Sequence, residues 1–373
     1  MVRMIPATLT LRSALTYNPS TMRRSRFTLL VVLGMLLPTG LDRAQQKPAP
    51  PPPPPQEQPQ KLEGQKPIIS IVNLVDVLFT VLNRRNKLVT DLTQDDFQVF
   101  DEGQPQAIRW FSRQADLPLR IGMMMDTSNS IRDRLKFEQE AATEFLFNVL
   151  RRGKDQSFLM TFDDEPNLVQ DYTDDPGKLR DQIFRQRAGG GTAVYDAIYK
   201  ACRDELSHPP RPSGDAPDVV RRVMVLISDG DDTFSTHTRG EAIEMAQRSS
   251  VVIYTISTST QWTTSDETKD AVKSIERKYH KTEGDKVLED LAEETGGRAF
   301  FPYRVDDLDQ SFQDIGDELR SQYSLAYNPT NYIPNGKYHK INIKVDRKGL
   351  QIRHRRGYFA RKSPETPNNP GGN

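Results

Sequence analysis

The fold is decided by residues 120–130, which read RIGMMMDTSNS. The run begins as an apolar segment of strand length and ends in an acid and two serines. A second segment of the same kind, VRRVMVLI at 220–227, is followed by the polar run SDGDD at 228–232. Near-continuous apolar runs are typical of strands buried in a parallel sheet, where loops at the carboxyl ends bind ligands. The two segments therefore predict a parallel sheet with a binding site at one edge.

The region between residues 117 and 323 alternates between strand and helix patterns. The predicted strands are 120–125, 157–162, 220–227, 251–257 and 298–301, and the predicted helices are 132–150, 193–206, 239–249, 286–295 and 308–323. This alternation predicts a doubly wound, mostly parallel sheet with helices on both faces, which is a three-layer α/β/α domain.

Two flanking segments, 67–116 and 324–360, have a two-residue period that predicts β-strands. In the first flank the Asp101-Glu102-Gly103 turn predicts a hairpin. Neither flank has enough strands for a stable domain by itself. We therefore expect the two flanks to pack together as a small β-sandwich beside the α/β domain. The alternating side chains are Val75, Val77, Phe79, Val81, Ile341, Ile343 and Val345.

The N-terminal residues 1–44 predict an export signal. A basic cluster at 23–26 precedes an apolar run at 27–37, and a small residue suited to cleavage follows. The apolar run is too short for a comfortable membrane span, so we expect cleavage and no span in the mature chain. An uncleaved N-terminal anchor is the alternative. Met22 is likewise an alternative to Met1 as the start of the chain.

Three further segments show no pattern of a packed core. Residues 45–66 are rich in proline and predict an extended linker. Residues 361–373 predict a disordered tail. The polar stretch 261–281 is longer than a usual link between strand and helix, and its sequence leaves open whether it contacts a partner or is merely solvated. We expect the exported protein in the periplasm, in the cell envelope or outside the cell.

Composition excludes several classes of function. The chain has 51 basic and 51 acidic residues, so its formal net charge is zero. Residues 1–44 hold six arginines and one acid, and residues 45–373 therefore carry a net charge of −5. A mildly acidic protein is a poor candidate for binding nucleic acid. The single cysteine, Cys202, excludes an internal disulfide and a cysteine-rich zinc site. The sequence also has no HExxH metal motif and no GxxxxGK[ST] phosphate loop.

Three loops at the predicted sheet edge carry oxygen donors for a cation. Residues two apart in an extended turn point the same way, so Asp126, Ser128 and Ser130 can face one ion. The glycines at 189–191 let a neighbouring backbone come close. A donor set of hydroxyls and carboxylates favours Mg²⁺, with Mn²⁺ or Ca²⁺ as alternatives. Together the three loops offer two carboxylates and three hydroxyls, with Gly191, Asp231 and Asp232 as rim residues; the last two could instead hold a further calcium ion.

The DxSxS run at 126–130, together with Thr192 and Asp229, resembles the metal-ion-dependent adhesion site of von Willebrand factor type A domains. The resemblance implies that the hydroxyls of the two serines and of Thr192 contact the cation. It implies that Asp126 and Asp229 act largely through water. It also implies an open coordination position, which an Asp or Glu carboxylate of a protein partner fills. Few charged direct ligands leave the ion electrophilic, which is consistent with that role.

The flanks are similar to the segments beside this domain in VWFA-related proteins of Acidobacteria. The first similar run extends from Leu92-Thr93 to Ile108, and the second from Leu319-Arg320-Ser321-Gln322-Tyr323 to Arg356-Gly357-Tyr358. The resemblance as a whole covers residues 67–360 and implies a von Willebrand factor type A domain with β-rich flanks.

The expected function is metal-dependent binding of a protein ligand without catalysis. Three alternatives stay open: an assembly or chaperone-like factor of the envelope, a metal-dependent hydrolase, and a structural module whose site binds nothing. A hydrolase is disfavoured because no histidine or lysine suited to act as general base is expected near the loops. His237 and His280 are isolated in the sequence. The sequence gives neither the identity of the partner nor the oligomeric state.

Overall fold

The computed structural model describes residues 74–113, 117–212, 219–259, 280–302 and 305–362, all within one compact unit, residues 69–373. The expected export signal, the proline-rich linker, the end of the tail and nearly all of the 261–281 stretch lie outside the described residues. In the described ranges, no helix has the length and apolar character needed to cross a membrane.

The secondary structure follows the alternation expected from the sequence. The strands are β1 (Val75–Asn83), β2 (Phe97–Asp101), β3 (Gln104–Gln106), β4 (Ile108–Arg113), β5 (Leu119–Asp126), β6 (Gln156–Phe162), β7 (Pro166–Thr173), β8 (Arg221–Ser228), β9 (Val251–Ser257), β10 (Ala299–Phe300), β11 (Tyr323–Tyr327), β12 (Tyr338–Val345), β13 (Leu350–His354) and β14 (Gly357–Phe359). The helices are α1 (Leu135–Val149), α2 (Pro176–Ile183), α3 (Val194–Lys200), α4 (Arg239–Arg248), α5 (Glu283–Thr295) and α6 (Val305–Leu319). A π-helical segment, Ala201–Leu206, continues α3.

The central sheet has the strand order β10-β9-β8-β5-β6-β7. The strand β5 pairs in parallel with both β6 and β8, and β9 pairs in parallel with β8 and β10. The strand β7 runs antiparallel, because the turn at 163–165 returns the chain directly along β6. Every residue of β5 is buried, and Arg222 is the one residue of β8 that is partly exposed.

Helices cover both faces of this sheet. On one face, Met123 of β5 lies in a core with Phe145 of α1 and residues of α2 and α6. On the other face, Met124 lies in a core with Ile198 of α3 and residues of α4 and α5. Removal of these apolar side chains from water is the main favourable term in folding such a layered domain. The predicted three-layer α/β/α architecture is confirmed.

Local sequence signals set the ends of the helices. The hydroxyl of Thr238 accepts a hydrogen bond from the backbone of Glu241, whose carboxylate bonds back to the cap and begins α4. Thr282 and Asp285 form the same capping box at α5. Gly296 then ends α5 at φ 86°, a left-handed conformation that suits glycine. The helix α5 therefore begins at Glu283, directly after its capping threonine and three residues before the predicted position.

Two antiparallel sheets, β13-β1-β11-β4 and β14-β12-β2-β3, form a sandwich from strands of both flanks. Phe79 of β1 meets Phe97 of β2 edge to face, with ring centroids 5.0 Å apart, and stacks on Tyr323 at 5.4 Å. The strands that lead into and out of the α/β domain pair directly, with Arg113 opposite Tyr323. The predicted fold class, an α/β domain beside a small sandwich, is thus confirmed.

Glu318 of α6 joins the sandwich to the α/β domain. Its carboxylate accepts hydrogen bonds from Thr80 of β1 at 3.1 Å, from Tyr254 of β9 at 3.3 Å and from Arg353 of β13 at 2.9 Å. Glu318 is 2% exposed. A buried carboxylate with these partners fixes α6 against two strands of the sandwich, because its charge is satisfied only in this arrangement.

Candidate metal centre

The topology of the central sheet places two carboxylates at its switch point. From β5 the chain winds to one side through β6 and β7, and then to the other side through β8, β9 and β10. Ligands of doubly wound sheets bind outside the carboxyl ends of the strands where the winding reverses, which here is between β5 and β8. Asp126 is the last residue of β5, and Asp229 directly follows β8.

Asp126 organises the loop that follows β5. Its Oδ1 accepts a hydrogen bond from the backbone N–H of Ser128 at 2.8 Å, and its Oδ2 accepts one from the hydroxyl of Ser228 at 2.7 Å. The turn that results brings the hydroxyl oxygens of Ser128 and Ser130 within 2.9 Å of each other. Neighbouring oxygens in an octahedral Mg²⁺ shell are about 3 Å apart, given bonds of about 2.1 Å. The two hydroxyls are hydrogen-bonded to each other at this distance, which is also the spacing of neighbouring ligands around one small cation.

Hydrogen bonds join the glycine loop to the loop after β5. The backbone N–H of Gly189 donates to the carbonyl of Thr127 at 2.8 Å, and that of Asn129 donates to the carbonyl of Gly190 at 3.2 Å. Gly190 has φ 74°, where a side chain would be strained. Two backbone contacts thus bring the loop of Thr192 beside the two serines.

The glycine loop is also bonded to the loop after β8. The hydroxyl of Thr233 accepts a hydrogen bond from the N–H of Thr192 at 3.0 Å, while the N–H groups of Thr233 and Phe234 donate to the carbonyl of Thr192. The structure therefore connects all three loops on which the predicted donors lie. Thr192 itself is 5% exposed, so it is buried where these loops meet.

The acids after β8 have different surroundings. Asp229 is partly buried, and its Oδ1 accepts the N–H of Asp231 at 3.2 Å. Asp231 is exposed as a residue, but its carboxyl is partly desolvated by its neighbours. This desolvation, with the nearby negative charges of Asp229 and Asp285, raises its pKa. Asp232 accepts the hydroxyl of Ser235 at 2.6 Å and so orders its own loop. Asp231 and Asp232 follow Asp229 in the loop after β8, and their assignment to the rim of the site stays a prediction.

The electrostatics of Asp126 favour a cation nearby. Burial raises the pKa of its carboxyl to about 6, hydrogen bonds from Ser128 and Ser228 oppose the rise, and the charge of Asp229 adds to it. Among the described residues, no lysine or arginine pairs with Asp126 or Asp229. A buried acid without a cationic partner is stabilised when a metal ion supplies the missing charge.

The hydroxyls are essential to any cation site at this edge. In the part of the chain that the structure describes, no group of three or more His, Cys, Asp or Glu side chains is arranged to hold a metal. A cation at this edge would therefore need Asp126 and Asp229 together with other oxygen donors, for which Ser128, Ser130 and Thr192 are the predicted candidates. The chemistry of this donor set and the spacing of its serines both fit a hard divalent cation.

Several residues of the centre were not found from the sequence. Ser228 and Thr233 hold the loops in place, and Asp164 does so by accepting the N–H of Gly191 at 2.5 Å. Ser228 lies beside Asp126 because β5 and β8 pair in a register that sets Met125 opposite Ile227. Sequence pattern alone does not give this register, although the position of Ser228 directly before Asp229 is a usable signal.

His237 is isolated in the sequence but not in the structure. Its Nδ1 lies 2.6 Å from Asp196 of α3, and its ring stacks on Tyr199 at 3.9 Å. Asp196 also accepts the backbone N–H of Thr236 at 2.9 Å. These contacts fasten the end of the loop after β8 to α3, which indicates a structural role for His237.

Comparison with known proteins is consistent with the geometry. Residues 121–231 match the family model of the von Willebrand factor type A domain, and the five predicted donors all fall in this range. No curated protein matches the chain by sequence.

The chain is also similar to several solved structures. An aerotolerance-related membrane protein from Bacteroides fragilis is 18% identical, covering 54% of this chain and 98% of that one, with a TM-score of 0.40. A von Willebrand factor type A protein from Catenulispora acidiphila is 13% identical over 80% of this chain and 76% of that one, with a TM-score of 0.41. Proximal thread matrix protein 1 from the mussel byssus, with a zinc-occupied MIDAS motif, is 16% identical over 59% and 50%, with a TM-score of 0.41.

Proposed function

We propose that this protein binds a protein ligand through a divalent cation held at the carboxyl ends of β5 and β8. The observation that carries the proposal is the pair of serine hydroxyls 2.9 Å apart beside the buried Asp126, which pairs with no lysine or arginine among the described residues. The match of residues 121–231 to the von Willebrand factor type A domain supports it. The proposed cation is Mg²⁺, with Mn²⁺ or Ca²⁺ as alternatives, because hard oxygen donors suit all three.

The donors divide into two groups by their surroundings. The hydroxyls of Ser128, Ser130 and Thr192 are neutral and contact the cation directly. Both oxygens of Asp126 already accept hydrogen bonds, so this acid orders the loop and attracts the cation without contacting it directly. Asp229 contributes a second negative charge from the loop after β8. When bound, the cation supplies an electrophilic centre that a carboxylate from outside can complete. Neutral direct ligands leave more of the ionic charge for that carboxylate.

The exposed acids beside the three loops make binding of the protein ligand depend on the cation. Asp164 and Asp231 are exposed next to the loops, and their negative charge repels an acidic ligand in the absence of metal. A partner that presents Asp or Glu is therefore retained only by the metal-loaded protein. This arrangement performs recognition and requires no catalytic group, so we propose a binding protein.

The proposed location is outside the cytoplasm. It rests on the basic and apolar pattern of residues 1–44 and the proline-rich stretch 45–66. In this setting the proline-rich linker predicted at 45–66 would separate the binding domain from the membrane across which the chain is exported. Fractionation of cells with an antibody to the α/β domain tests the location, and a purely cytoplasmic signal would contradict it.

Metal binding is tested by calorimetric titration of the purified protein with Mn²⁺ and Mg²⁺. Wild type is expected to bind one ion, and Asp126→Ala to lose measurable binding. Asp181→Ala is the matched control, because Asp181 is an exposed acid on α2 with a side chain 58% exposed. Equal binding by wild type and Asp126→Ala would overturn the cation site.

Ligand binding is tested by capture from an envelope extract with Mg²⁺ present, followed by a wash with EDTA. Proteins that depend on the proposed coordination are expected to elute with EDTA and to be missing with Asp126→Ala. Retention of the same proteins through the EDTA wash, and by the variant, would contradict metal-dependent binding.

A further inference from the structure

In the part of the chain that the structure describes, a third carboxylate near the candidate metal centre lacks a hydrogen-bond partner. Glu138 is in the first turn of α1 and is 0% exposed. Neither of its carboxylate oxygens has a hydrogen-bond partner among the described residues. A buried polar group without a hydrogen bond is costly, and a buried charge without a counter-charge is more so. Such a group in a close-packed domain calls for an explanation.

The position of Glu138 on the helix explains why it is buried. It is one turn before Ala142 and two turns before Phe145, both of which pack against the central sheet. Glu138 therefore occupies the sheet-facing side of α1, at the end of the helix nearest the loop of Ser128 and Ser130. An apolar side chain would complete this face of the helix, yet the chain has an acid there.

The basic residue one turn before Glu138 does not form a hydrogen bond with this acid. Arg134 lies one turn earlier, but its guanidinium donates to the backbone carbonyl of Thr258, at the end of β9. The hydroxyl of Thr258 is itself buried and has no hydrogen-bond partner within the described ranges. The carboxyl of Glu138 and the hydroxyl of Thr258 are thus two unsatisfied polar groups beside one side chain, Arg134.

The charges around Glu138 link it to the metal centre. Burial is the main reason why its pKa lies well above the usual value, and the negative charges of Asp126 and Asp229 raise it further. Arg134 acts in the opposite direction. Three acids therefore share one poorly solvated region with one arginine. A divalent cation at the carboxyl ends of β5 and β8 would offset this excess of negative charge.

We propose that Glu138 is a third acid of the cation site, a positioning residue whose negative charge strengthens cation binding from behind the ligand loop. The inference rests on the proposed cation binding and adds to it a residue outside the five donors. Groups of this kind, which act on a metal through its surroundings, change metal affinity by about 10- to 100-fold when they are removed. Glu138 contacts no partner protein in this proposal, so its effect is confined to the metal.

The test compares Glu138→Gln with Glu140→Gln. Glu140 is on the same helix with a side chain 56% exposed, so its variant removes the same charge from the surface. Mn²⁺ affinity is measured by calorimetry at pH 8, and thermal unfolding is measured in EDTA and in excess Mn²⁺. Glu138→Gln is expected to bind Mn²⁺ about tenfold or more weakly and to lose most of the rise in Tm that Mn²⁺ gives wild type. Glu140→Gln is expected to behave as wild type in both measurements.

A purely structural role for Glu138 makes a different forecast. In that case Glu138→Gln changes Tm equally with and without Mn²⁺ and leaves the affinity unchanged, which would overturn the inference while the proposed function stands. Absence of Mn²⁺ binding by wild type would overturn both. Glu138→Met, of similar volume, provides a second variant: it is expected to be at least as stable as wild type in EDTA and still to bind Mn²⁺ weakly. Wild-type affinity in Glu138→Met would likewise refute the inference.

Discussion

The hydroxyl of Ser228 donates a 2.7 Å hydrogen bond to Oδ2 of Asp126 on the neighbouring strand. The same oxygen of Ser228 accepts the backbone N–H of Gly230 at 3.0 Å. A chain of two hydrogen bonds therefore runs from the loop after β8 to the acid that ends β5. Because Ser128 bonds the other oxygen of Asp126, both oxygens of this buried carboxylate have a donor.

Ser228→Ala is expected to weaken Mn²⁺ binding by about tenfold, since it removes a bond that orients Asp126 behind the cation. Calorimetric titration measures the change. Ser321→Ala is the control, because Ser321 follows α6 and takes part in none of the three loops. Equal affinity of the Ser228 variant and wild type would show that Asp126 keeps its orientation without this bond.

The affinity for Mn²⁺ is expected to fall in mild acid. With a pKa of about 6, Asp126 is mostly charged at pH 7.5 and mostly protonated at pH 5.5. The proton competes with the cation, so binding should be about fourfold weaker at the lower pH from this group alone. Calorimetry at the two pH values checks this, and Asp126→Asn should lose this part of the pH dependence.

The stability of the metal-free protein should change with pH in the opposite sense. Folding raises the pKa of Asp126 above its ordinary 3.8, so the folded chain holds the proton more tightly than the unfolded chain. Above about pH 6, the buried charge of Asp126 lowers the free energy of unfolding. This free energy recovers as the pH falls from about 6 towards 3.8, because Asp126 is protonated in the folded chain. In EDTA, the unfolding free energy of wild type relative to Asp126→Asn should rise from pH 7.5 to pH 5.5. A constant difference would contradict the raised pKa.

Gly191→Ala is expected to disturb the loop of Thr192. A Cβ at Gly191 would lie 2.2 Å from the ring of Phe234, whose backbone is bonded to Thr192. Mn²⁺ affinity should fall severalfold, and the double variant with Phe234→Ala should recover much of it because the clash is gone. Gly189→Ala is the matched control, since no atom lies within 4 Å of its added Cβ. A Gly191 variant that binds as wild type would show that the loop adapts without displacing Thr192.

Glu318→Ala is expected to destabilise the protein by roughly 3–5 kcal/mol, because it leaves Arg353 and two hydroxyls without their buried partner. Urea denaturation measures the loss. Glu283→Ala, at a site 85% exposed, should change stability by at most about 1 kcal/mol. A small loss for the Glu318 variant would mean that the sandwich and the α/β domain are joined mainly by apolar contacts.

The central strands could be predicted from the sequence because their apolar runs are long and end in polar loops. The edge strand β7 and the helix α2 were not assigned, since half-exposed residues of β7 such as Leu168 and Val169 give no clear period. The helix α1 begins at Leu135 instead of the expected position 132, because a 3-10 turn at Asn129–Ile131 comes first.

The candidate site shows the same division. The five proposed donors could be predicted from the loop motifs. The residues that hydrogen-bond to those loops could not, because their positions depend on strand register and helix rotation. Glu138 illustrates the limit: an acid in an amphipathic pattern predicts a solvated position, yet the structure buries it against the sheet. Its spacing from Ala142 and Phe145 places it on the buried face of α1, so helical position overrides the preference of an acid for water.

The direct pairing of β4 with β11 has a consequence for modular exchange. Arg113 and Tyr323 face each other in one ladder, so the chain leaves the sandwich and returns to it at positions about 5 Å apart. The α/β domain is therefore a cassette inserted between two neighbouring strands of a host. Insertions of this kind are tolerated when the ends of the guest domain lie close together. Another domain with adjacent termini could therefore replace the α/β domain in the sandwich, while β1, β11 and β13 keep their pairing.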